Sequence, residues 1–272
     1  MLSGMLTKDN GGEGAATVTR EASSAGGTGA LGFREARAAL GAAQKTSKGA
    51  PAYGRYVNRP LGRAFAAAAY VAGRTPNQLT LVSAVCTLTG IALIAIVRPA
   101  VGWSALIVVL LVVGYALDAA DGQLARLRGG GSPSGEWLDH TVDAFKIGVL
   151  HLSVLVSWFR FGDHGDAWLL VPVAFQAVAT VQFFSTILID QLRRSHRGTT
   201  GSILRGDGSS SVLYSLAVLP TDYGLLCLVL GLMFWTQGFL VLYSFLMVAN
   251  AGFLALALPK WYREVSLMGA DA

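Results

Sequence analysis

Residues 78–97 contain no charged side chain and are almost entirely apolar. At 1.5 Å per residue, a helix of about 20 such residues crosses the roughly 30 Å hydrocarbon core of a bilayer. Backbone placed in lipid must satisfy its own hydrogen bonds, which restricts it to helices or closed barrels. Comparable stretches follow at about 101–125, 135–159, 167–190, 212–235 and 239–258. Each is far longer than the 9–11 residues of a barrel strand, so the sequence predicts an all-α polytopic membrane protein with six transmembrane helices. Only 14% of the 272 residues are charged, against about 25% in soluble domains. The fifth stretch carries Pro220, Thr221 and Asp222. Either Asp222 lies in mid-membrane beside a cation such as Lys146, or Pro220 breaks the chain and Asp222 caps the shorter helix beyond it.

The remaining sequence falls around this domain. Residues 1–50 are rich in Gly, Ala, Ser and Thr and read as a disordered cytoplasmic tail, with a short helix over 33–44 as its one candidate element. In residues 51–74, Arg55, Arg59 and Arg63 recur among Tyr56, Val57, Leu61, Phe65 and Tyr70. This is the pattern of an amphipathic helix lying on an anionic membrane surface, with Pro60 at its start or at a kink. Thr75 and Pro76 read as N-cap and first helical residue of the first span. The six-helix domain then extends over 75–260, and 261–272 form a short tail in which Trp261, Tyr262 and Arg263 act as an interfacial anchor. Cys86 and Cys227 fall in separate apolar runs and read as packing residues.

Six spans place both termini on one side. Ten Lys or Arg precede the first span; Arg126 and Arg128 lie after the second; Arg193, Arg194, Arg197 and Arg205 after the fourth; Lys260 and Arg263 after the sixth. The opposite side has Arg98 and Arg160. The positive-inside rule therefore puts the termini and the connection after the second span in the cytoplasm, at the cell membrane.

Four aspartates are set in this apolar context as two pairs, Asp118 with Asp121 and Asp139 with Asp143. A carboxylate at the centre of a spanning helix costs about 2.5–3.5 kcal/mol on insertion scales. Asp118 lies about 25 Å along the second helix and Asp139 about one turn into the third, so both pairs come to one level near the cytoplasmic surface. Spacings of three and four place each pair on one helix face. Gly114, Gly122 and Ala125 share the face of the first pair and leave room for something to lie against the helix. Four converging carboxylates cannot all be ionised without cations, so either protons are held or metals bind. Oxygen-only ligands favour Mg²⁺ or Mn²⁺, and two helices with two carboxylates each fit a two-ion centre of the kind used for displacement at phosphorus. Lys146 shares the face of Asp143 and either binds an acceptor phosphate or neutralises the carboxylates. Arg193, Arg194 and Arg197 either meet an anionic acceptor at the cytoplasmic mouth or are ordinary positive-inside charge. His140 points about 100° away from Asp139 and is not expected to be a ligand.

Asp118-x-x-Asp121-Gly122-x-x-Ala125-Arg126, eight residues, then Gly135-x-x-x-Asp139-x-x-x-Asp143 resembles the full signature of the CDP-alcohol phosphatidyltransferase family at all eight defined positions. The resemblance implies metal-dependent transfer of a substituted phosphoryl group, usually phosphatidyl from CDP-diacylglycerol, to an alcohol with release of CMP in phospholipid biosynthesis. It implies Asp118, Asp121, Asp139 and Asp143 as metal ligands for two ions, Asp143 as the base, and Gly122, Ala125, Arg126 and Gly135 as the nucleotide site. Arg126 could instead snorkel to the interface. Family members are commonly dimers, so a homodimer among membrane lipids is expected; nucleic acid is not an expected partner. The rival readings are transfer from a soluble CDP-alcohol to a lipid acceptor, an intramembrane prenyltransferase and a divalent-cation transporter. The acceptor alcohol is not legible.

Overall fold

The computed structural model describes residues 31–42, 51–162, 165–197 and 218–268, and the regular structure among them is entirely helical. In chain order the helices are α1 (Phe33–Ala42), α2 (Arg59–Val71), α3 (Pro76–Ile96), α4 (Val101–Leu127), α5 (Pro133–Phe161), α6 (Leu170–Arg197), α7 (Tyr223–Leu230) and α8 (Thr236–Met268). A short π-helical segment, Gly54–Asn58, leads into α2, and single 3₁₀ turns occupy Asp166–Leu169 and Leu219–Thr221. Five helices, α3, α4, α5, α6 and α8, are long and apolar enough to cross a bilayer. The chain is thus a multi-pass membrane protein.

Local sequence sets the main boundaries. Thr75 Oγ1 accepts from Gln78 N–H at 3.3 Å while Gln78 Oε1 accepts from Thr75 N–H at 3.1 Å, a reciprocal cap that starts α3. Pro60 is the second residue of α2, just where the π-helical segment Gly54–Asn58 passes into it. Between α4 and α5 the chain reverses through Gly129 (φ +96°) and Gly130 (φ +134°), and Gly130 N–H returns to Ala125 O at 2.9 Å. A side chain is strained at either dihedral.

The fifth stretch is broken, not continuous. Asp222 is the N-cap of α7, with Oδ1 accepting from Gly224 N–H and Oδ2 from Gly54 N–H, each at 2.8 Å. It is not the partner of Lys146. With eight residues, α7 is too short to cross a bilayer alone. Residues 198–217, including the first part of the expected fifth span and Arg205, lie outside the described residues.

At the N-terminal end an expected helix is present, and at the C-terminal end one boundary moves. While the rest of the expected tail, 1–30 and 43–50, lies outside the described residues, the short helix expected over 33–44 is present as α1, with Ala36 and Leu40 buried in one cluster with Ala66, Ala67, Ala120 and Leu124. The short periodic run from Phe33 is enough to dock there, although its neighbours are poor in apolar residues. At the other end α8 continues through Pro259 to Met268, so residues 261–268 are helix, not tail. Glu264 in this extension receives two hydrogen bonds from Arg193 of α6, both 2.6 Å long, which hold it against the bundle.

α3 lies against both α4 and α5, whereas α4 and α5 scarcely touch; α2 covers α4, and α6 links α5 to α8. Lipid offers helices no hydrophobic drive to associate, so close packing must hold them together. At Gly114 an added Cβ would collide with Thr87 Oγ1 and stand 3.2 Å from Ser83 O. The room expected beside Gly114 is therefore filled by α3. The larger core, including Ile94, Leu111, Val154, Trp158, Leu230 and Tyr243, lies toward the other end of the bundle.

Candidate active site

α4 and α5 both lean on α3, and aspartates from the two helices come together beside it. One carboxylate oxygen each from Asp118, Asp139 and Asp143 lies within 4.8 Å of the other two. Asp139 Oδ1 is buried and makes no hydrogen bond among the described residues. Asp121 stands outside this group of three. It is 7% exposed, and its Oδ2 accepts from Thr80 Oγ1 at 2.5 Å. Ser83, one turn further along α3, donates to Gly114 O at 2.8 Å and leaves Asp118 Oδ1 at 3.4 Å. A hydroxyl has one hydrogen, and the shorter contact takes it.

Lys146 joins the same group. Its Nζ is 2.6 Å from Asp118 Oδ1, 3.1 Å from Asp143 Oδ1 and 3.4 Å from Ser83 Oγ. Of the two roles open to it, neutralising the carboxylates is the one these contacts favour. Carboxylates drawn together without counter-charge repel strongly in a half-buried site, and one ammonium between two of them relieves part of that cost.

The small residues of the motif have separate uses. At Gly122 an added Cβ would touch Arg126 Nη1 at 3.5 Å, so the half-buried guanidinium folds back over the glycine. At Gly135 it would stand 3.1 Å from both Asn77 Oδ1 and Ser132 Oγ, so this glycine lets α3 approach the start of α5. Ser132 caps that helix through Gly135 N–H at 3.0 Å. Ala125 supplies the carbonyl that closes the turn after α4.

Arg193 and Arg194, at the end of α6, pair with acidic residues other than the four aspartates. Arg193 pairs with Glu264; Arg194 pairs with Glu136 at 2.5 Å and Asp190 at 2.9 Å. Arg197 ends α6, and its side chain is outside the described residues. His140 lies 3.7 Å from Glu136 and away from the carboxylate group.

The donor set fits a hard divalent cation: three clustered carboxylates, one buried oxygen without a partner, and a fourth carboxylate fixed alongside by Thr80. Residues 74–257 match the model of the CDP-alcohol phosphatidyltransferase family, which covers all four aspartates and every glycine, alanine and arginine of the motif. The chain belongs to this family. It is 34% identical over 113 residues to phosphatidylinositol phosphate synthase of Corynebacterium glutamicum, a match that covers 42% of this chain and 49% of that protein. The matched part thus spans about half the length of that relative. The fold resembles that of phosphatidylinositol phosphate synthase of Mycobacterium tuberculosis, solved with manganese and citrate. There the TM-score is 0.50 at 19% identity, over 76% of this chain and 89% of that one. The same enzyme with CDP-DAG bound gives a TM-score of 0.47 at 20% identity, over 76% and 94%. The family match leaves out α1, α2 and the last turns of α8.

Thr80 and Ser83 were not singled out from the sequence. The signal was present: Thr80, Ser83 and Thr87 recur at i, i+3 and i+7 in a mostly apolar helix, and all three are buried. Polar residues along one stripe of a spanning helix mark the face turned to other helices.

Proposed function

We propose that the protein transfers a phosphatidyl group from CDP-diacylglycerol to an alcohol, releasing CMP, with its site at the cytoplasmic surface of the cell membrane. The observation that carries this reading is the convergence of Asp118, Asp139 and Asp143 from two helices in a family that shares the motif. Asp118, Asp121, Asp139 and Asp143 would hold Mg²⁺ or Mn²⁺. When bound, the ions would neutralise the donor's diphosphate and stabilise the departing CMP.

The chain's own residues account for the rest of the step. A carboxylate oxygen of Asp143 takes the proton of the acceptor hydroxyl. The acceptor oxygen bonds to the phosphorus that carries diacylglycerol, the bond from that phosphorus to the bridging oxygen breaks, and CMP leaves with the electron pair. Lys146, in contact with Asp143, fixes the orientation of that carboxylate and limits the build-up of negative charge. Gly122, Ala125, Arg126 and Gly135 line the nucleotide side. Between helices the acyl chains remain in lipid while the head group reaches the aspartates, and the polar acceptor enters from the cytoplasm.

The relative from Corynebacterium makes phosphatidylinositol phosphate the first product to look for. Purified protein is incubated with labelled CDP-diacylglycerol, Mg²⁺ or Mn²⁺ and a panel of alcohols, including inositol phosphate and glycerol phosphate, and products are read by lipid mass spectrometry. A metal-dependent phosphatidyl product is expected. Pyrophosphate release would point to prenyl transfer, and metal uptake without any product would point to transport.

A further inference from the structure

Residues 51–58 lie ahead of the family match, yet they are fastened to α4, the helix that carries Asp118. Gly54 N–H donates to Asp222 Oδ2 at 2.8 Å, across 168 residues of sequence. The other oxygen of Asp222 caps α7 through Gly224 N–H, also at 2.8 Å. Asp222 is 4% exposed, so water does not readily replace either bond. One carboxylate thus ties the segment before α2 to the start of α7.

The tie brings three tyrosines together. The Tyr53 ring fills the space over Gly224, where any Cβ would collide with it. It also stacks on Tyr115 of α4, with centroids 6.3 Å apart and planes 15° from parallel. Tyr223 of α7 meets Tyr115 edge-on at 5.0 Å. Aromatic pairs of this kind prefer defined angles and contribute beyond the area they bury. Asn250 of α8 donates to Pro220 O at 3.1 Å and so holds the turn that leads to Asp222. Interfacial anchoring alone requires none of these contacts.

Tyr115 stands three residues before Asp118, on the same face of α4. Since α4 scarcely touches α5, the distance from Asp118 to Asp139 and Asp143 depends, apart from the Lys146 bridge, on what sets the rotation of α4. Gly114 fixes α4 against α3, and the next residue, Tyr115, is held by Tyr53 and Tyr223. At about 5 Å from the helix axis, a rotation of about 10° carries a carboxylate about 0.9 Å. Metal–ligand distances tolerate about 0.2 Å. Even a small rotation of α4 therefore spoils the group.

We propose that Tyr53 and Asp222 are positioning residues for Asp118: the Gly54–Asp222 hydrogen bond seats the Tyr53 ring on Tyr115, and Tyr115 sets the rotation of α4 that brings Asp118 to the other carboxylates. This rests on the metal-binding part of the phosphatidyl-transfer reading above.

Mn²⁺ is titrated by calorimetry into the full chain in nanodiscs, which gives affinity and stoichiometry separately. Loss of folded protein lowers the stoichiometry, whereas a displaced ligand lowers the affinity. Tyr53→Ala weakens Mn²⁺ binding about tenfold at unchanged stoichiometry, the lower end of what outer partners of metal ligands contribute. Tyr53→Phe keeps the ring and recovers the affinity to within about twofold. Asp222→Ser still caps α7, because serine caps about as well as aspartate, but it is too short to reach Gly54 as well. It weakens binding by about threefold or more. Tyr53→Ala combined with Asp222→Ser weakens binding no further than Tyr53→Ala alone, because both act through one contact. Wild-type affinity in Tyr53→Ala or in Asp222→Ser, with or without a lowered stoichiometry, overturns the proposal, as do additive losses in the double variant. If Tyr53→Ala does not fold, Asp222→Ser decides on the same terms. Failure of the unaltered protein to bind Mn²⁺ overturns the reading on which the proposal rests, and the proposal with it.

Discussion

Thr80→Val isolates one hydrogen bond at the edge of the proposed metal site. The hydroxyl of Thr80 donates to Asp121 at 2.5 Å, with the two residues 3% and 7% exposed, so water cannot readily replace it. Pro76 O, at 3.2 Å, is the weaker competitor for the single proton. Valine keeps the shape and removes the donor. A hydrogen bond to a charged group contributes about 1.5–3 kcal/mol, and a buried carboxylate left without it bears that cost. Because the bond also orients a proposed metal ligand, affinity for Mn²⁺ should fall about 10–100-fold, the usual range for outer partners of metal ligands. Calorimetric titration of Mn²⁺ into purified protein measures this without reference to turnover. Thr80→Ser, which restores the hydroxyl, should bind within about threefold of the unaltered protein. Wild-type Mn²⁺ affinity in Thr80→Val would refute the view that Thr80 fixes Asp121 for metal binding.

Three further outcomes follow from the packing and charge described. Lys146→Met removes the ammonium between Asp118 and Asp143 and should destabilise the protein by about 3–5 kcal/mol; the thermal shift on adding Mg²⁺ should then exceed that of the unaltered protein. Gly114→Ala forces a methyl group into Thr87 and should cost about 1–3 kcal/mol, seen as a lower Tm, with metal affinity reduced only as far as α3 is displaced. A double-mutant cycle on Arg193 and Glu264 should give a coupling of about 1 kcal/mol in stability, since the pair is bidentate but 14% and 25% exposed.

What could be read in the sequence was whatever local spacing determines. Apolar length marked the spans, and Thr75 with Pro76 marked the start of α3. The four aspartates were visible because charge is conspicuous in apolar sequence and their intervals match a helical face. What escaped depends on contacts between distant segments. Gly114 was read as room for something to lie against the helix, and what lies there is α3, 27 residues earlier in sequence at Thr87. Asp222 could be a mid-membrane charge or a cap until Gly224 and Gly54 were seen to donate to it. The helix at 33–42 was legible, but its packing against α2 and α4 was not. The last span was expected to close by 260, but α8 carries on to Met268, and Arg193 secures the extension.

The most direct test is CMP release from CDP-diacylglycerol by purified protein, compared with Asp143→Asn at saturating Mn²⁺ and saturating acceptor. Asparagine preserves size and one carbonyl oxygen but cannot take the acceptor's proton. Loss of a general base lowers kcat by about 10²–10⁴-fold, and that loss is predicted while CDP binding persists. Turnover at the wild-type rate in Asp143→Asn would contradict the assignment of the base and, with it, the proposed mechanism.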